Sequence, residues 1–314
     1  MHKLKFGFFV SLLLLASCAS QPSVQEPPVA KPPQAEPPPP VSPAIKPVSP
    51  KVALVLGGGA VRGFAHIGVI KVLEAQGITP DMVVGTSAGS VVGALYSAGY
   101  SGFDLQKMAF KLDEDSVGDW SLPSRGFIKG EALQSYVNKA VRGQPLEKLK
   151  KPFAVVATDL QSGEMTVFQR GNTGQAVRAS SSVPGVFQPV NINGRDYVDG
   201  GLTSPLPIRV ARSLGAEVVI AVDISSKPKY HKIEDFTDVF LQTFAIMGQS
   251  ISRSELADAD VVIRPETGAF GSADFAKKYE AMLEGEKAAQ AALPLIRQKL
   301  QQAAEQKQAG VARR

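Results

Sequence analysis

One cysteine, Cys18, is all that the 314 residues contain, so no intramolecular disulfide and no thiolate metal cluster can form. Histidine is almost as scarce: only His2, His66 and His231 could supply an imidazole base. The apolar run over residues 6–16 falls short of the ~20 residues that a membrane-spanning helix needs. No excess of one charge marks a polyanion partner. The net charge is +5, and Lys and Arg are scattered among acids except in short groups at 148–151 and 227–232. This reads as solvated surface with at most a weak attraction to anionic membranes, and nothing resembles a nucleic-acid module. The glycine-rich stretch Gly57-Gly58-Gly59-Ala60-Val61-Arg62-Gly63 also lacks the spacing of a dinucleotide fingerprint. Counting from Gly57, the third glycine should fall at 62, which is Arg62; counting from Gly58, the second falls on Ala60. Nor is it a P-loop, because Phe64 and Ala65 follow Gly63 where Lys and Ser or Thr are needed.

What is present suits one large globular domain with extra segments, at 44% hydrophobic and 20% charged residues. Residues 1–17 have the basic start, short apolar run and small residues of a secretory signal. Leu15-Ala16-Ser17-Cys18 further resembles a bacterial lipobox, in which the cysteine is lipidated. The alternative is an ordinary signal peptide with an incidental cysteine. Ala19 follows instead of an aspartate, so a Gram-negative source implies an outer-membrane anchor facing the periplasm. Residues 18–50 are rich in Pro and lack aromatics. They cannot bury enough apolar surface to offset their ordering entropy, and are expected to form an extended tether reaching up to roughly 100 Å.

The globular domain is expected over 51–314. An apolar run over 52–56 ends at the glycines, as a strand buried on both faces would, and a helix pattern over 63–76 is ended by Gly77. Strands are expected over 82–86, 153–158, 165–168, 196–198, 217–223 and 261–264. Helices are expected over 88–98, 173–182, 207–214, 236–257 and from 273 onward, and 101–144 is helical but interrupted. Alternation of strands and helices implies an α/β fold with a mainly parallel sheet. Phe103, Met108, Phe110, Trp120 and Phe127 are candidates for an acyl-chain groove, with ordinary core packing as the alternative.

Two strand-to-helix turns carry the chemistry. Gly85-Thr86-Ser87-Ala88-Gly89 has the form of a nucleophile elbow, in which small flanking residues let a strained turn lift the Ser87 hydroxyl out of the sheet. The glycine turn one strand earlier offers backbone N–H groups to a developing oxyanion. A serine needs a base. His2 leaves with the signal, and His66 lies directly behind the glycine turn, where packing or capping is the expected role. His231 completes the Ser-Asp-His chain order of an α/β-hydrolase but sits in a polar, lysine-bearing connection. Asp199 stands at a strand end before Gly200 and Gly201, and could serve if burial brings its pKa up from ~3.9 toward neutrality. The alternative for Asp199-Gly200-Gly201 is a hairpin turn.

With those residues in place, the chain resembles the patatin-like phospholipases. Residues 58–63, Gly85 to Gly89, Ala179-Ser180-Ser181-Ser182-Val183-Pro184 and Asp199-Gly200-Gly201 match the family's four blocks in order. The match is closest to the bacterial branch related to the catalytic domain of neuropathy target esterase, and runs from about residue 51 to about residue 287. The resemblance implies a three-layer α/β/α fold and a Ser-Asp dyad without histidine, with Ser87 as nucleophile and Asp199 as base. It implies N–H groups around Gly58, Gly59 and Ala60 as the oxyanion hole, with Arg62 helping to set the loop or meet a phosphate and Gly63 part of the same glycine-rich loop. The family usually has glycine where this chain has Ala60, so the loop geometry there is expected to differ. The implied substrate is a phospholipid or lysophospholipid, with no metal and no cofactor; a general esterase or thioesterase, or a weakly active lipid-binding lipoprotein, are the alternatives.

Overall fold

The computed structural model describes residues 49–112, 129–225, 236–268, 270 and 274–312. Its first strand, β1 (Val52–Leu56), is buried along its whole length between β2 (Met82–Thr86) and β7 (Val218–Val222), parallel to both. That explains its unbroken apolar sequence: each residue faces a protein layer, whichever side it points to. Between these strands lie α1 (Phe64–Ala75), α2 (Ala88–Ser97), α3 (Gly102–Lys111), α4 (Glu131–Ala140), β3 (Phe153–Asp159), β4 (Met165–Phe168), α5 (Thr173–Ser180), β5 (Val190–Ile192), β6 (Arg195–Asp199) and α6 (Ile208–Ser213). After β7 come α7 (Phe236–Glu255), β8 (Val261–Ile263) and α8 (Lys278–Ala312).

Hydrogen-bonded neighbours run β5, β6, β3, β2, β1, β7, β8, with β4 also on β3. The β3–β2–β1–β7–β8 part is parallel, and the contacts of β3 with β4 and β6 and of β5 with β6 are antiparallel. The sheet is therefore mixed and mostly parallel. Alternate side chains feed two cores. Leu54, Leu56, Val83, Val155 and Ile220 pack with α1 to α5 and α8 on one face, while Ala53, Val55, Val84, Val156 and Val219 pack with α6 on the other. This is the expected α/β/α arrangement.

The register of β3 positions the site. Its Val155–Thr158 stretch pairs with β4 on one edge. On the other edge β2 pairs with Phe153 to Val156, and β6 takes over at Ala157, opposite Asp199. Strands β2 and β6 thus meet end to end, and their last residues, Thr86 and Asp199, occupy adjacent rows.

Glycines let backbone approach backbone where the layers are thinnest. A Cβ on Gly89 would lie 2.0 Å from the Leu56 carbonyl oxygen, so only glycine lets α2 sit on the end of β1. Gly85 is similarly closed by Gly89 of the same elbow, at 2.6 Å. On the same face of the sheet α8 crosses α1 with Gly68 and Gly285 in contact with the opposing backbone, where a Cβ on either would lie 2.0 Å from a carbonyl oxygen. Lys71 of α1 pairs with Glu286 of α8 beside that crossing.

The predicted elements agree with the observed ones to within a few residues, apart from β5, a three-residue strand with one exposed position that the sequence pattern misses. Cys18, residues 18–48 of the expected tether, Trp120, Phe127 and His231 lie outside the described residues.

Candidate active site

Ser87 follows β2 directly and caps α2, with φ 52° and ψ −124°. A non-glycine residue held there is strained, and such strain persists only where the surroundings dictate it. Its hydroxyl donates to Asp199 Oδ2 at 2.7 Å, across the gap where β2 and β6 meet. Asp199 Oδ1 accepts the Gly201 N–H at 2.7 Å. The chain after Asp199 enters a 3-10 turn over Gly200–Leu202 rather than a hairpin. Gly200 is obligatory, since a Cβ would stand 2.2 Å from the Val156 carbonyl oxygen. Asp199 is buried, and burial raises its carboxyl to about 7 against the opposing pull of the Ser87 hydroxyl and the Gly201 N–H. A carboxylate poised there can take a hydroxyl proton near neutral pH.

The glycine turn lies against this pair. A Cβ on Gly58 would come 3.2 Å from the Ser87 Cβ. One expectation needs correcting: the Gly58 N–H donates to the Pro205 carbonyl at 2.9 Å, and so is committed to holding the loop rather than offered to an oxyanion. The Gly59 and Ala60 N–H groups have no acceptor among the described residues. The Ala88 N–H, first of α2 and next to Ser87 in the same elbow, is a further donor that the glycine motif leaves out.

Ala60 adopts φ 50°, so the position does require the left-handed backbone that glycine takes freely, and alanine holds it at a cost of roughly 1–2 kcal/mol. The turn is fixed from behind. Arg62 Nε donates to the Ile224 carbonyl at 2.9 Å, and burial lowers its guanidinium to about 10. Gly63 sits against Ala88, where a Cβ would meet the Ala88 Cβ at 2.7 Å.

His66 is fully buried in α1, and its Nε2–H donates to the Gly57 carbonyl at 2.8 Å. Burial depresses the imidazole to about 4, so it stays neutral, and its Nδ1 has no partner among the described residues. It props the loop and does not reach for a proton from Ser87.

Next to Ala88, the residue after Ser87, opens an apolar cavity lined by Ala60, Val61 and Ala88 and by Val91, Leu105, Met108, Leu133, Tyr136 and Phe275. Of the groove candidates, Met108 lines this cavity. Phe103 and Phe110 do not: they are 60% and 44% exposed on α3, where Phe110 packs against Tyr279.

Residues 54–212 match the Patatin family, described as patatin-like phospholipase. An uncharacterised NTE family protein of Mycobacterium tuberculosis is 37% identical over 180 residues, 56% of this chain and 50% of its own length. Human patatin-like phospholipase domain-containing protein 6 is 36% identical over 184 residues, 56% of this chain and 13% of its own. The chain thus spans half or less of the length of these relatives. Among solved structures, VipD from Legionella pneumophila is similar at a TM-score of 0.46 and 14% identity, over 79% of this chain and 67% of VipD. With more than half of its residues inside the matched region, and the elbow, glycine turn and Asp-Gly-Gly turn of that region assembled at one sheet end, the chain belongs to the patatin-like phospholipase family, related to the NTE proteins.

Proposed function

We propose that the protein is a serine acyl hydrolase that releases fatty acids from phospholipids or lysophospholipids. The observation that carries this reading is the 2.7 Å hydrogen bond from Ser87 to a buried aspartate held near neutrality. Ser87 Oγ attacks the ester carbonyl carbon as its proton passes to Asp199, and the carbonyl electron pair moves onto oxygen. The Gly59 and Ala60 N–H groups take that oxyanion, with the Ala88 N–H beside them. Collapse breaks the bond to the alcohol, which leaves with the proton from Asp199. Water then attacks the acyl-enzyme, giving its proton to Asp199 and releasing the fatty acid as Ser87 regains its own. The acyl chain lies in the apolar cavity, whose wall begins at Ala60 and Ala88. Arg62, tied to Ile224, sets the loop.

The test is fatty-acid release from mixed phospholipid and lysophospholipid vesicles by the full chain, with Ser87→Ala and Asp199→Asn alongside. Release that depends on both residues supports the reading; release from short acyl esters alone points to a general esterase. We further propose that Cys18 carries the lipid anchor and residues 18–50 the tether. Unchanged maturation of a Cys18→Ser variant in a Gram-negative host would remove that part.

A further inference from the structure

Neither the dyad nor the oxyanion loop explains what holds Ser87 in its strained conformation. Strand β2 leaves the sheet at Thr86, the last residue of its ladder with β3, opposite Val156. The next N–H, that of Ser87, has its partner in a side chain of α5, and the Val156 carbonyl meets the same side chain. That side chain is Ser180. Its Oγ accepts the Ser87 N–H at 2.9 Å and donates to the Val156 carbonyl at 2.5 Å, so one side-chain oxygen bridges the rows that the elbow separates. Ser180 is fully buried at the end of α5. Two residues on, the Ser182 carbonyl accepts the Asp199 N–H at 2.9 Å. The segment from Ser180 to Ser182 therefore grips the main chain of both members of the pair. Between them stands Ser181, also buried, whose hydroxyl has no partner among the described residues.

We infer that Ser180 is a positioning residue: its hydroxyl fixes the elbow's backbone, and the two-residue step to Ser182 sets how closely Ser87 approaches Asp199. The catalytic part of this inference rests on Ser87 being the nucleophile. The 2.7 Å contact of Ser87 with Asp199 then follows from where their main chains are held, and not only from the attraction of the two side chains. A hydroxyl is suited to this place because it accepts and donates at once. Alanine leaves both the Ser87 N–H and the Val156 carbonyl unanswered in the interior.

The experiment uses the full chain as wild type, Ser180→Ala, Ser180→Cys and Ser181→Ala. The readouts are the rate of Ser87 labelling by a fluorophosphonate per folded molecule, kcat and KM on an acyl ester, and hydrogen exchange of the Ser87 amide. Ser180→Ala is expected to slow labelling and kcat by roughly 10- to 100-fold with KM within about twofold, as a small misplacement of a reacting group does. Ser87 amide protection should fall selectively. The nearly isosteric Ser180→Cys should behave like the alanine variant while keeping the fold, and Ser181→Ala should match wild type. Wild-type labelling and amide protection in a folded Ser180 variant would overturn the inference, as would equal losses in Ser181→Ala. If wild type is never labelled, the hydrolase reading fails, and the Ser87 amide exchange still decides whether Ser180 holds the elbow.

Discussion

Replacing Asp199 by asparagine separates what the residue does for the reaction from what it costs the fold. The carboxyl is raised from an ordinary 3.8 to about 7 by burial, so between roughly those values the folded chain keeps a proton that the unfolded chain has released. Stability conferred by the protonated form is complete at low pH and is lost as pH rises to about 7, above which the loss is constant. From about pH 5 to about pH 8 the wild type should lose about 3 kcal/mol through this group, at ~1.4 kcal/mol per unit over about two units. Asparagine does not titrate. Its amide oxygen can still accept the Gly201 N–H and its NH₂ can donate to Ser87, the two contacts that Asp199 makes at 2.7 Å. The Asn variant should therefore gain about 3 kcal/mol on the wild type between these two pH values, while turnover falls roughly a hundredfold or more. Urea unfolding of both proteins at the two pH values measures the first quantity, and ester hydrolysis the second. A stability difference that does not change with pH would refute the reasoning, because it would mean that the site does not penalise the carboxylate.

Four other outcomes follow from particular contacts. Gly89→Ala drives a Cβ against the Leu56 carbonyl oxygen and should destabilise the chain by about 3 kcal/mol or prevent folding, as read by thermal or urea unfolding. His66→Ala leaves the Gly57 carbonyl without its donor and should cost about 1–3 kcal/mol, yet the acid limb of the pH–rate profile should stay near 7; a displaced limb would make His66 part of the titration. Leu133→Trp, which fills the cavity, should lower hydrolysis of a palmitoyl ester relative to a butyryl ester by about tenfold or more; an unchanged ratio would place the acyl chain elsewhere. Ala60→Gly removes the strain at φ 50° and should stabilise the protein by up to about 1 kcal/mol, once the greater freedom of glycine in the unfolded chain is subtracted, with no loss of turnover.

The parts of the site that the sequence made legible are those where one residue type answers one steric or chemical need. Gly85 and Gly89 mark an elbow because nothing larger fits there, and Asp199 before two glycines marks a strand end pressed against its neighbour. The near-neutral carboxyl was foreseeable as a requirement of the chemistry, and its burial beneath the sheet end meets it. Other features depend on partners distant in sequence. Nothing in Gly57 to Gly63 shows that the Gly58 N–H is taken by Pro205, or that Arg62 turns to Ile224. β4 and β6 are legible as strands, but alternation of strands and helices does not show that they pair antiparallel, and β5 escapes because three residues with one exposed position carry little pattern. Phe103 and Phe110 show the limit of composition: apolar spacing on α3 does not say which face meets the cavity, and there Leu105 and Met108 take it.

The crossing of α1 by α8 bears on how the protein is made. The helix that follows the glycine turn is backed by the helix that ends the described chain, and β1 is enclosed by β7, a strand more than 160 residues later. During synthesis the turn and the elbow emerge early, but β1 has one open edge and α1 one bare face until the last third of the chain arrives. Such long-range closure slows folding. It also means that a nascent or truncated polypeptide leaves β1 and α1, which flank the glycine turn, partly uncovered until β7 and α8 have docked.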